Sequence, residues 1–460
     1  MNQKLSERAY FTCFQKKHVH FFSASLFFSF LMFSNSTLLA KSLSVAEERD
    51  TILKIESAVK GNNYLLLGQI LKKNVGKTIT LTKVKQIASR LNSGKLLSAV
   101  NSSKELFGHK INRFGLTRND FLQTALFIES KLAEYTEKKQ YYLKKDKTKL
   151  PCSLDYDPET RSTFIILPTS SGNFLGEGAN KVVTRSIFYN QGHPEVVARA
   201  LQTRVKKDEM RMMRTVHGLQ GVFNVLACTK YEEGKKTYRV IYSKLYSPGS
   251  LYDAFSKEYE FSLFEKIKIT RDLLKGLQEL HRKNITHRDI ASKNFLINVP
   301  QGAVGRRNIE AVIADFGAAR SVAEDSSGNS GAQAQGHIVY TPPEAIIKKM
   351  QGEDFFLSDV YATGCIFYRL FYEEFAPWQN SKYVLDTQIA AKSRYREFVN
   401  RIKRYTLSRK NYLARKSEEE GLSVSDDFEY LILRMVDPDP KKRGTAESLY
   451  QEIKRISRRQ

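Results

Sequence analysis

Thr286-His287-Arg288-Asp289-Ile290-Ala291-Ser292-Lys293-Asn294-Phe295-Leu296-Ile297 is the most informative stretch of the chain. Asp289 is followed five positions later by Asn294, on a loop that runs into a short apolar strand. That pattern suits phosphoryl transfer. A carboxylate accepts the proton of an attacking hydroxyl, and an amide oxygen holds a divalent ion. Further along, Asp315-Phe316-Gly317 closes a second apolar strand, Ala311 to Ala314, and Thr341-Pro342-Pro343-Glu344 follows it.

His-Arg-Asp-x4-Asn resembles the catalytic-loop signature of protein kinases, and the two later motifs come in that family's order and at its spacing. The resemblance implies an α+β fold of two lobes, a small β-rich N-lobe and a large helical C-lobe. It implies Asp289 as catalytic base, with Arg288 and Lys293 beside it, and Asn294 and Asp315 as ligands of Mg2+. ATP and a protein substrate are the implied reactants. Arg288 adjoins the base and is placed to pair with a phosphate on the flexible segment Ser321 to Gln335. Asp359 matches the aspartate that braces the catalytic loop, and Glu344 with Arg443 matches a buried ion pair.

Upstream, Leu175-Gly176-Glu177-Gly178-Ala179-Asn180-Lys181-Val182-Val183 resembles the glycine-rich loop of the same family. Gly176 and Gly178 let backbone approach phosphates closely, and Val183 is expected over the adenine. Lys181 stands where a third glycine is usual. The next strand, Val196-Val197-Ala198-Arg199-Ala200-Leu201, does not place lysine at the phosphate-binding position. One register puts Arg199 there and the other puts Ala200. Glu209 fits the partner glutamate on the following helix. The displacement resembles the with-no-lysine kinases and leaves three readings open: Arg199 serves the phosphates, Lys181 serves them, or the site is a pseudokinase scaffold. Ser243 falls at the position before the hinge, Lys244-Leu245-Tyr246.

Signals for hydroxyl specificity conflict. Ala291 stands where serine/threonine kinases carry lysine, and Lys293 is nearer the tyrosine-kinase arrangement. Tyr340-Thr341-Pro342-Pro343-Glu344 resembles the serine/threonine type. The expectation is a serine/threonine kinase, with a tyrosine or dual-specificity enzyme as the alternative.

The remaining chain is organised around this region. With 460 residues, 41% hydrophobic and 27% charged, it has length for such a domain at 161–458 and a further unit. In 41–160 the apolar spacing is helical: Ile52, Ile55 and Val59 after a capping box at Ser44 to Glu47, then Val84, Ile87 and Leu91 with Gly94 as a stop. Phe121, Ala125, Ile128, Leu132 and Tyr135 form a third stripe. An all-α region of unknown role is expected there, ending in the lysine-rich run Lys138 to Lys149. Residues 1–40 carry Lys4, Arg8, Lys16 and Lys17 before an apolar run from Phe21 to Phe33. This is a signal-peptide pattern, the run being short of the roughly 20 residues of a membrane span. It implies export, with action inside another cell's cytosol as one hypothesis and a membrane anchor as the alternative. Net charge is +25, which favours an anionic membrane or an acidic partner. No motif for specific nucleic-acid binding accompanies it. Four scattered cysteines offer no disulfide framework.

Overall fold

Lys181-Val-Val-Thr-Arg-Ser-Ile-Phe-Tyr189 is β-branched and aromatic, and it forms the strand on which the largest sheet is built. A computed structural model describes residues 44–107, 116–138, 142–143, 152–167, 172–178, 181–190, 193–202, 207–233, 236–300, 308–322, 338–347, 350, 352–379 and 391–459. Residues 1–40, read above as a signal-peptide pattern, most of the lysine-rich run and Ser326, Ser327 and Ser330 lie outside the described residues. Among those described, no helix is long and apolar enough to cross a membrane.

Five helices come first: α1 (44–60), α2 (Tyr64–Asn74), α3 (Leu81–Arg90), α4 (Gly94–Phe107) and α5 (Arg118–Lys138). Ile55, Val84, Ile87, Phe121, Ala125 and Ile128 are all buried, so the helical stripes point inward. Two local expectations are corrected. Ser44, the first described residue, already has helical conformation in α1 and so is not the residue ahead of the helix that a capping box needs. Gly94 opens α4 instead of stopping α3; Asn92 takes the left-handed turn conformation (φ 49°) between them.

Strands then follow: β1 (Tyr142–Leu143), β2 (Ser153–Asp157), β3 (Ser162–Ile166), β4 (Phe174–Gly178), β5 (Lys181–Tyr189) and β6 (Glu195–Gln202). Helix α6 (Lys207–Thr215) leads to β7 (Val225–Glu233) and β8 (Lys236–Lys244). The order along the sheet is β1-β2-β3-β5-β6-β8-β7, with β4 pairing β5 as a branch. β5 is shared along its length: Lys181 to Thr184 pair with β4 and Ser186 to Tyr189 with β3. The strands β1 to β3 precede the glycine-rich loop, and β1 and β2 lie inside the span expected to be helical.

Side-chain alternation splits the sheet into two faces. On one, Phe164, Val197, Ala227, Val240 and Tyr242 form a separate core in which Phe164 stacks on Tyr242 at 3.6 Å between ring centroids. The sheet curls until β2 reaches β7, where Asp155 accepts hydrogen bonds from Thr229 Oγ1 (2.6 Å) and Tyr242 OH (2.8 Å). On the other face, Ile165, Ile187 and Tyr189 share one core with helices α1 to α5.

The second lobe begins with β9 (Pro248–Ser250) and α7 (Leu251–Ser256). It continues through α8 (Leu263–Arg282), β10 (Ile285–Thr286), β11 (Phe295–Asn298), β12 (Glu310–Ile313) and β13 (Arg320–Ser321). Its remainder is helical: α9 (Pro343–Ile347), α10 (Asp354–Tyr372), α11 (Ala391–Glu419), α12 (Val424–Met435) and α13 (Ala446–Arg458). Ser262 and Glu265, the ends of Ser262-Leu-Phe-Glu265, form a capping box at the start of α8. Arg443, fully buried, holds Glu344 through Nη1 at 2.5 Å and Nη2 at 2.8 Å, and its Nε donates to Asp437 O at 2.7 Å. The architecture is that of two lobes, a β-rich one and a helical one, with helices ahead of them.

Candidate active site

The loop from His287 to Asn294 joins β10 to β11, and α10 braces it from below. Asp359 on α10 is buried, and its two carboxylate oxygens accept from His287 N (2.7 Å) and Arg288 N (2.9 Å). Those bonds hold Arg288 at φ 66°, a left-handed conformation that costs a β-carbon residue roughly 1–2 kcal/mol. The turn re-aims the next residue, Asp289. His287 locks the loop to the strand before Asp315: its Nε2 meets Ala314 O at 3.0 Å and its Nδ1 accepts from Asp289 N at 3.3 Å. With the carbonyl as acceptor, Nε2 carries the proton and Nδ1 is the free base, so one tautomer satisfies both contacts.

Asp289 is partly exposed. Lys293 Nζ lies 3.9 Å from its Oδ2. Asn294 is buried, and its Nδ2 donates to Asp289 O (2.7 Å) and Oδ2 (3.1 Å). The amide nitrogen is thereby used within the loop, which leaves Asn294 Oδ1 as the atom available to a cation. Asp315 also has a left-handed backbone, φ 67°, and Phe316 behind it is buried edge-on to His287 at 5.4 Å. A carboxylate and an amide oxygen are the hard donors that Mg2+ prefers, so the set fits that ion. The Arg288 guanidinium lies over the Phe355 ring at 3.9 Å and its Nε donates to Thr286 Oγ1.

In the N-lobe, register decides which side chains share a face. Val183 pairs with Ala200, and Ala198 with Ser243, so these four lie on one side of the sheet. Lys181, two residues before Val183, joins them and is exposed. Thr184 pairs with Arg199 and Arg199 with Tyr242, on the opposite side. Arg199 therefore does not come together with Val183 and Lys181. It lies in the curled interior, where its charge and the hydroxyls of Thr229 and Tyr242 act against burial of Asp155. Burial wins, and the Asp155 carboxyl is pushed up to about 6. Ala200 occupies the position two residues past Ala198. Gly176 and Gly178 lie on β4, with Gly176 at φ 157°, and Gly178 pairs with Lys181. Glu209 lies on α6; Met212 of that helix and Val216 just past its end are buried in the C-lobe core.

One contact was not foreseen. Ser292 Oγ lies 3.2 Å from Tyr340 OH and ties the catalytic loop to the segment that ends in Glu344. Burial pushes the Tyr340 phenol up, so it stays protonated. Ser292 is adjacent to Ala291, and nothing in the sequence pattern marks a serine there as a tether.

The sequence matches the protein kinase domain over residues 170–453. A serine/threonine-protein kinase/receptor of Acanthamoeba polyphaga mimivirus is 32% identical over 166 residues, which is 36% of this chain and 9% of that protein. A Dictyostelium discoideum protein named as a myosin light chain kinase is 25% identical over 280 residues, 60% of this chain and 78% of that one. The RAF proto-oncogene serine/threonine-protein kinase of Xenopus laevis is 32% identical over 111 residues, 24% and 16% of the two chains. The chain thus spans under a tenth of the mimivirus protein and about a sixth of the Xenopus one. Over residues 170–453, which hold the sheet strands from β4 on, the helical lobe and the loop around Asp289, the chain belongs to the protein kinase family.

Proposed function

We propose that the protein transfers the γ-phosphate of ATP to serine or threonine hydroxyls of a protein substrate, with Lys181 in place of the missing strand lysine. Asp289, held by Asn294 and beside Lys293, accepts the proton of the attacking hydroxyl. Asn294 Oδ1 and Asp315 are the groups for Mg2+, which when bound neutralises charge on the phosphates. Gly176 and Gly178 bring backbone N–H groups to the phosphates, and Val183 with Ala198 lines the adenine side. Glu209 orients the phosphate-binding cation.

The observation that carries this reading is the pairing of Val183 with Ala200 and of Arg199 with Tyr242. A one-residue step in a strand changes the face, so Arg199 is turned away and Lys181 is the cation beside Val183. Arginine would in any case be a poor substitute for a point-charge ammonium. Two of the relatives named above are serine/threonine kinases by name, and Tyr340 to Glu344 has the serine/threonine form, which supports that hydroxyl class.

Transfer of radiolabelled phosphate from magnesium ATP, followed by phosphoamino-acid analysis, tests the proposal. Lys181→Met is expected to lower turnover by on the order of 10²-fold, whereas Arg199→Met, if folded, retains most of it. The reverse pattern overturns the Lys181 assignment. Absence of transfer by the unaltered chain, with Asp289→Asn as blank, leaves the scaffold reading that Ala200 favours. Phosphotyrosine as the sole product overturns the serine/threonine assignment. Export by the N-terminal segment belongs to the same proposal, and recovery of the protein only inside its source cell with Met1 intact would remove it.

A further inference from the structure

A second cavity lies outside the site described above. It is about 710 Å³, open to solvent on one side, and is lined by the loop from Gly218 to Asn224, Tyr246, α8, the start of β12 and the end of α13. None of its lining belongs to the catalytic loop or to the Val183 face. Its walls are fixed by packing between elements. Gly221 and Gly276 press backbone to backbone, Arg271 Nη1 donates to Ser457 Oγ at 3.2 Å, and Gln278 bonds Glu447.

The charges on this wall are unequal. Asp272 and Glu310 line it, but each is already paired, Asp272 with Lys268 at 2.5 Å and Glu310 with Lys244. Lys275 is paired with Glu279 at 2.6 Å. Arg271, Lys454 and Arg458 also line it; among the described residues none of them has a carboxylate within ion-pair distance, although the Arg271 charge acts on the neighbouring Asp272. Lys454 and Arg458 are four residues apart and so lie on one face of α13, while Arg271 comes from α8. The Lys275 and Lys454 ammonium groups both lie against the Tyr450 ring, 5.2 and 5.5 Å from its centroid, which holds them at the wall.

We propose that this cavity binds a small, multiply phosphorylated anion. Two guanidinium forks and an ammonium from two helices match several phosphate groups presented from a compact body, since a fork takes two phosphate oxygens at once. The volume lies in the range of small-ligand sites, roughly 300–1,000 Å³, and a single phosphate would leave most of it empty. Such a ligand joins α13 and α8 of the C-lobe to the hinge at Tyr246. The same chemistry is carried by a free polyol phosphate and by a phosphorylated lipid headgroup.

Calorimetric titration of the full chain with inositol hexakisphosphate at physiological ionic strength tests this. A chain with net charge +25 attracts any polyanion, so the comparison is between two charge-matched double variants. Lys454→Glu with Arg458→Glu alters the cavity. Lys403→Glu with Arg404→Glu alters an exposed stretch of α11 by the same charge. The cavity pair is expected to weaken binding at least about tenfold, and the α11 pair less than about twofold. Lys454→Gln with Arg458→Gln, with an unchanged melting temperature, repeats the test without charge reversal. Equal losses in the two pairs, or no saturable binding, overturn the proposal. Sedimentation with vesicles of phosphatidylinositol 4,5-bisphosphate, but not with phosphatidylserine vesicles of equal charge, identifies the headgroup as the source when the cavity pair abolishes it. Tight binding of the free polyphosphate without sedimentation identifies the soluble form.

Discussion

Asp155 is the residue whose environment departs furthest from what its type prefers. Its carboxyl is buried between β2 and β7, held by two hydroxyl donors, with Arg199 near enough to contribute charge. Burial outweighs these and raises the folded value to about 6 from 3.8. Between those values the folded chain holds a proton that the unfolded chain has lost, so this residue's contribution falls as pH rises from about 4 to 6. At roughly 1.4 kcal/mol for each pH unit of displacement, the effect is on the order of 2–3 kcal/mol. Asn at this position keeps an oxygen for both hydroxyls and has no charge to bury. Asp155→Asn is therefore expected to gain stability over the wild type between pH 4 and pH 7, by urea unfolding at each pH. A difference that does not change with pH would show that Asp155 is not protonated on folding. The same site explains what single residues revealed in advance. That Asp289 and Asn294 share one loop, and that Asp315 closes a neighbouring strand, was legible because the motifs fix residue type at fixed spacing. The facing of Arg199 was not, because one residue of register in β6 reverses it and only pairing with β5 and β8 settles the choice.

At the scale of elements, close approach between α8 and the loop before β7 positions the cavity and β12 together. A β-carbon on Gly276 would lie 2.1 Å from Gly221 O, and Gly221 itself has φ 72°. Gly221 O also accepts from Ile313 N at 2.9 Å, so the loop cannot retreat without loss of that bond. In an unconstrained helix, Gly to Ala stabilises by roughly 1 kcal/mol. Here the sign reverses: Gly276→Ala is expected to destabilise by more than the roughly 1–3 kcal/mol typical of overpacking, because the clash is with backbone. Thermal unfolding of Gly276→Ala decides it, and an unchanged or raised melting temperature would mean that the two elements separate easily. Helix α8 itself was legible from its capping box and apolar face. Strands β1 and β2 were not. Ser153-Leu-Asp-Tyr-Asp157 does alternate polar with apolar, but it is only five residues long, and aspartate, a poor strand former, fills two buried positions on the face that reads as solvent-facing.

At the scale of the whole molecule, the helices α1 to α5 and the kinase sheet are one body. Leu154, Ile165, Ile187 and Tyr189 belong to the same core as Leu67, Val84 and Phe121, and Tyr189 OH donates to Glu129 Oε1 at 2.7 Å. Helical periodicity made the first unit legible, but it gave no sign of which surface its stripes would cover. That surface is the distal half of the face that carries Lys181 and Val183, so the helices back the sheet that holds the proposed phosphate cation. Full exposure of a large apolar side chain costs roughly 1.5–3 kcal/mol. Four of them together reach the roughly 5–15 kcal/mol that is the entire stability of a typical domain. A chain beginning at Cys152, without the five helices, is therefore expected to aggregate or to melt more than about 10 °C below the full chain. Replacement of Leu154, Ile165 and Ile187 by threonine in the shortened chain should recover solubility, because threonine keeps the β-branch at two positions and removes the exposed apolar patch. A shortened, unsubstituted chain that stays monomeric, melts with the full chain and transfers phosphate at the same rate would show that the shared core contributes nothing to the N-lobe.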